Sequence, residues 1–255
     1  MSLAAIVLGQ SPQPRVAHLF VALADNEHQG IAKVPAKIGH GDDADNNLYW
    51  GCDEGVRGVF GAASPTWRLA LRATNPTSAI LERRVYRNAD RDAWLVADAY
   101  RGIEIKKATT DFLDAATGRQ PGSLAVTLNG RQSTLPIGGG AALVAYIGHN
   151  GLMDFRLDAA LSASPSSRGV SGKPAIVLCC MSENYFAPLL RSGGARPLLL
   201  TTQLMYPGAF LLKAALDGWL RGESPAAMVD RAARAYSENQ KISFKSARGV
   251  FSIGN

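Results

Sequence analysis

Residues 16–24 (VAHLFVALA) are apolar at almost every position, rich in branched and aromatic side chains, and end at Asp25 and Asn26. A strand with one wet face alternates between apolar and polar residues, so an unbroken apolar run predicts a strand buried on both faces. Residues 141–147 (AALVAYI), 174–178 (PAIVL) and 196–202 (RPLLLTT) read the same way. Further strand-like pieces occupy 67–72, 80–87 and 93–99. Helices are predicted over 103–116, 183–191 and 207–221, with another opened by Ser224-Pro225, where proline suits the first turn. Asn46 and Asn47 read as the cap of a helix running to Phe60. Asn129-Gly130 marks a two-residue hairpin turn inside the turn-rich stretch 118–140.

Two polar stretches interrupt this pattern. Residues 25–46 form a loop longer than compact domains usually keep without a use for it. Residues 162–172, rich in Ser, Pro and Gly, read as a mobile loop and as the place where a maturation cut would fall. Buried strands separated by helices predict an α/β fold, a three-layer α/β/α sandwich around a mostly parallel sheet. No period of 20–50 residues recurs, which excludes a solenoid.

At 255 residues and 47% hydrophobic, the chain is long enough for one sizeable core, and one domain over 15–255 is expected. Residues 1–14 are set apart as a tail. They are either a frayed or packed terminus or the remnant of a signal peptide, and the second reading favours a secreted or periplasmic protein over a cytoplasmic one. The formal charge of +6 is dispersed among acidic residues, so it predicts solubility and no nucleic-acid partner. No apolar run reaches the length of a membrane span. The three cysteines make no disulfide framework, since Cys179 and Cys180 are adjacent and Cys52 stands alone.

In a parallel sheet, chemistry gathers at the carboxyl ends of the strands. Two such ends carry reactive side chains: Gly148-His149-Asn150-Gly151 and Cys179-Cys180-Met181-Ser182. A thiol attacks as thiolate, and an imidazole beside it lowers its pKa or takes its proton. Glycines near His149 allow a sharp turn, and main-chain N–H groups at Asn150 and Gly151 suit an oxyanion. Asp154 is read either as orienting His149 or as a solvated acid. His18, His28, His40 and Cys52 lack zinc-site spacing, with His18 packed in the first strand, and neither a metal nor a cofactor is expected. Gly138–Gly140 precedes a strand and reads as a turn. Trp67, Trp94 and Trp219 read as core or rim packing.

These strand ends resemble those of the caspase-like (clan CD) cysteine peptidases, which include caspases, metacaspases, gingipains, separases and bacterial CHAT-type domains. Gly148-His149 is similar to the family's His-containing motif. Cys179-Cys180 is similar to its small residue followed by the catalytic Cys. The stretch from Gly193-Gly194 through 196–202, Gly222 and Ser224-Pro225 resembles the closing segment of CHAT-type domains, so the likeness covers roughly 141–240. Asn150 stands where the family has glycine. The resemblance implies a caspase-like sheet and endopeptidase activity on a peptide or protein substrate through a Cys180–His149 dyad, with Cys179 as the alternative nucleophile. Asp25, Asp42 and Asp43, in the loop after the first strand, read either as contacts for a basic residue before the cut or as a solvated acidic loop. Two other readings stay open: an inactive, flavodoxin-like module that binds a protein partner, and a cysteine hydrolase or transferase acting on something other than peptide.

Overall fold

The computed structural model describes residues 14–61, 64–157 and 172–254. The readings of residues 1–10 and of the 162–172 loop, apart from Gly172, lie outside the described residues.

The predicted first strand is β1 (Arg15–Ala22), and all of its residues after Arg15 are buried. It lies inside an eight-stranded sheet, paired in parallel with β4 (Ala93–Tyr100) on one side and β7 (Leu143–Ile147) on the other. Beyond β7 follow β8 (Pro174–Leu178) and β9 (Arg196–Thr201), both parallel, and then a short antiparallel β10 (Phe251–Ser252). Beyond β4 the order continues through β3 (Ile80–Asn88) to β2 (Trp67–Thr74), both antiparallel. The parallel centre therefore runs β4-β1-β7-β8-β9. β2, β3 and β4, the three successive strand-like pieces of the sequence, form a helix-free meander.

Alternate residues of β1 serve two cores. Ala17, Leu19 and Val21 pack with α1 (Val56–Phe60), α4 (Ala209–Leu220) and α5 (Pro225–Gln240). Phe20 and Ala22 pack with α2 (Ile105–Ala116) and α3 (Ser182–Ser192) on the opposite face. This is the three-layer arrangement, with each layer sealed by burial worth about 1.5–3 kcal/mol per large apolar side chain. The predicted hairpin joins β5 (Pro121–Leu128) to β6 (Arg131–Gly138) through Asn129 and Gly130, both at positive φ. It covers Val16, Val85, Trp94 and Val96. Trp67 and Trp94 are core residues, while Trp219 is partly buried with Arg15 stacked on its ring at 4.3 Å. A last short helix, α6 (Phe244–Arg248), precedes β10.

The helix expected from Asn46 to Phe60 is a correction: only Val56–Phe60 is helical. Asn47 does not cap it. Its buried carboxamide accepts from Ala24 N at 3.0 Å and donates to the carbonyls of Ala24 and His40, splicing the loop to the end of β1. Gly51 and Gly55 sit where a Cβ would strike backbone atoms of Asp45 and Trp50, so this segment folds as tight turns. None of the helices is long and apolar enough to cross a membrane among the described residues.

Candidate active site

The connection from β1 leads toward the β2 edge and that from β7 leads toward β8, so the strand order reverses between β1 and β7. A crevice forms at the carboxyl ends of strands at such a point. Ile147 of β7 is level with Leu178 of β8. Two residues farther along each strand come His149 and Cys180, which the sheet thus brings out side by side.

The turn after β7 depends on Gly148, whose φ of +151° suits glycine and whose hypothetical Cβ would lie 2.8 Å from the Ala22 carbonyl oxygen. Asn150 is fully buried; its Nδ2 donates to the Cys180 carbonyl at 2.7 Å and its Oδ1 accepts from Leu152 N. This clasp ties the two strand ends together and starts a single 3₁₀ turn, Gly151–Met153. The turn carries Asp154 back onto His149: the imidazole Nε2 and the carboxylate Oδ2 are 2.7 Å apart. The same oxygen accepts from Gly30 N at 2.9 Å, which brings the loop after β1 into the arrangement. With Nε2 donating to a carboxylate, Nδ1 is left as the basic nitrogen.

Cys180 is half-buried. Its sulfur lies 3.4 Å from both the N–H and the carbonyl of Met205, so the main chain offers a donor to a thiolate and an acceptor to a thiol. Among the described residues, no hydrogen bond joins the sulfur to the imidazole. Cys179 is fully buried, and burial pushes its thiol far above the ordinary range. It is therefore the inert member of the pair. Burial, with the two thiols nearby as a smaller cause, also raises the phenol of Tyr49.

The turn that presents Cys180 is braced from below. Ser182 Oγ donates to the Val177 carbonyl and accepts from Thr201 N, while Ser182 N donates to Thr201 Oγ1, all in the interior. Thr201 Oγ1 also donates to the Cys179 carbonyl. Met181 takes a left-handed conformation, φ +52°, between strand and helix; such backbone in a residue other than glycine is sparse and is kept where its surroundings enforce it.

The three candidate substrate carboxylates fare differently. Asp25 and Asp42 line a cleft of about 250 Å³ together with Glu27, His28, His40 and Ile103. Asp25 Oδ2 is 2.9 Å from His28 Nδ1, and that bond raises the His28 pKa. Asp42 is paired with Arg101 at 2.7 Å. Asp43 does not line the cleft: it accepts from Asp45 N, Asn46 N and Asn46 Nδ2 within its own turn, and the bond from the Asn46 side chain is the main cause of its lowered pKa. The exposed apolar side chains Ile103, Met153 and Leu204 stand beside this cleft, Asp154 and Met205 respectively.

Of the predicted residues, His149, Asn150, Gly151 and Cys180 share one site. Gly151 N–H turns back to the His149 carbonyl at 3.1 Å, which commits that donor within the loop. Sequence reasoning had no means to find Met205, which acts through its backbone. Thr201 left one trace, a hydroxyl closing an apolar strand. Comparison with protein-family models, curated proteins and solved structures finds no significant match.

Proposed function

We propose that this chain is a caspase-like cysteine endopeptidase with Cys180 as nucleophile and His149 as general base and acid. One observation carries the reading: His149 and Cys180 leave two hydrogen-bonded parallel strands at the same level, with Asp154 already holding the imidazole. In the proposed reaction the Cys180 sulfur attacks the peptide carbonyl and its proton passes to His149 Nδ1. The tetrahedral oxyanion is held by main-chain N–H groups at the strand ends, other than that of Gly151, which is committed within its loop. Nδ1 then protonates the leaving amine, and water activated by the same nitrogen cleaves the thioester. The proposed step requires the sulfur to leave Met205 for the imidazole, in keeping with catalytic hydrogen bonds that tighten only when substrate binds. The cleft of Asp25, Glu27 and Asp42 is proposed to take Arg or Lys before the cut, which would compete with His28 for Asp25 and with Arg101 for Asp42.

The test is cleavage of a mixed peptide library by wild type and Cys180→Ala, combined with labelling by iodoacetamide and readout by mass spectrometry. The proposal expects cleavage by wild type alone, after basic residues, with label on Cys180. Labelling without any cleavage would support the second reading, a partner-binding module. That reading is favoured by the sulfur's engagement with Met205 in place of His149.

A further inference from the structure

The far edge of the sheet holds a second, separate concentration of polar groups. Where β2 runs beside α1, an open cleft of about 530 Å³ is lined by Arg57, Arg68, Arg84 and Trp67, with Leu69 and glycines 51, 58 and 61 completing the wall. Among the described residues, no carboxylate lines it. Arg84 is the deepest of the three cations at 9% exposure. One nitrogen of its guanidinium donates to Glu82 at 3.1 Å, and the buried Tyr86 phenol is its other side-chain partner. The indole N–H of Trp67, on a side chain only 2% exposed, has no hydrogen-bond partner among the described residues.

A buried donor without an acceptor costs about 1–3 kcal/mol, and native folds keep few of them. The Trp67 indole, on the lining of this cleft, marks a place where an acceptor is missing. The charge around it gives the sign of that acceptor. Glu82 lies behind the lining, and its carboxylate is shared by Arg84, Arg72 and the indole of Trp50. Arg57 pairs with Asp45, which is largely in solvent, and Arg68 donates to the Ser64 carbonyl. The cleft is therefore cationic on balance. Its donors also outnumber the two oxygens of a carboxylate and suit a tetrahedral dianion, with guanidinium forks matched to its edges.

We propose that this cleft binds the phosphate group of a small phosphate monoester, gripped by Arg84 and Arg68 with the Trp67 indole as a further donor. The site is independent of the peptidase reading, since it shares none of the residues assigned there.

Inorganic phosphate and phenyl phosphate are titrated into the ¹⁵N-labelled full chain at constant ionic strength, following arginine Nε–H and the four tryptophan indole N–H signals by NMR. One arginine Nε–H and one indole signal should move together along a saturating curve, with phenyl phosphate binding more tightly than phosphate. Arg84→Lys should remove the response. Arg68→Gln, at an exposed position, should weaken binding at least about tenfold, the loss expected for one charge-assisted bond. If Arg84→Lys does not fold, Arg68→Gln and Arg57→Gln decide the matter. Shifts that chloride reproduces, or wild-type affinity in both glutamine variants, would overturn the site. Benzoate binding as well as phenyl phosphate would overturn its assignment to phosphate.

Discussion

Gly148 governs how the candidate active site leaves the sheet. A methyl group there meets the Ala22 carbonyl and must also adopt a φ that L-residues avoid. Gly148→Ala is expected to lose about 1–3 kcal/mol of stability, read as a lower urea midpoint, and to displace His149. The two adjacent cysteines should separate cleanly: brief iodoacetamide treatment of the folded protein labels Cys180 and spares Cys179, and both are labelled once the chain is unfolded. Equal labelling in the native state would contradict the burial that raises the Cys179 thiol. Under the proposed function Asp154 positions His149, so Asp154→Asn should lower kcat more than it raises KM; a raised KM with kcat unchanged would contradict that role. His149 and Cys180 were legible in the sequence because an apolar run ends just before each. The Asp154 contact was legible only as one of two readings, because the turn that brings it back is fixed by Asn150 reaching across to another strand.

Among the elements, β1, β3 and β4 are tied together by a buried polar triad. His18 Nδ1 accepts from Gly138 N at 2.9 Å, so the proton sits on Nε2, which donates to Asp98 at 3.1 Å. Arg83 adds two bonds to the same carboxylate, both 2.6 Å. Burial alone pushes Asp98 upward, yet these partners hold it below the usual carboxylate range. A lowered pKa stabilises the fold above the unfolded value of about 3.9. That contribution is lost as pH falls through the folded value. Asp98→Asn should therefore flatten the acid end of the stability–pH curve, measured by denaturation between about pH 2 and 5. It should also cost roughly 3–5 kcal/mol at neutrality by leaving Arg83 uncompensated in the interior. The sequence placed His18 correctly inside a strand but was silent on Asp98, which lies 80 residues away. The β5–β6 hairpin was legible because Asn-Gly supplies the positive φ its turn requires. The direction of β2 and β3 was not, because periodicity reports which faces are buried and not which neighbour pairs. The helix expected up to Phe60 failed for a similar reason: Asn47 has the chemistry of a cap, and only the fold shows that its partners are Ala24, just past β1, and His40.

At the scale of the whole molecule, the sheet's order puts the earliest strand among the described residues between partners made much later. β1 pairs with β4, whose register begins Arg15↔Ala93, and with β7, whose register begins Ala17↔Leu143. During synthesis, at about 5–20 residues per second, roughly 80 residues must follow before the first partner exists, on the order of ten seconds. Through that interval the nascent chain carries one of its most apolar segments with neither edge covered. Capture of ribosome-bound intermediates should find residues 16–24 held by a chaperone until β4 has emerged and released once β7 follows. A central strand that comes first thus turns the order of translation into a hazard that the finished fold no longer displays.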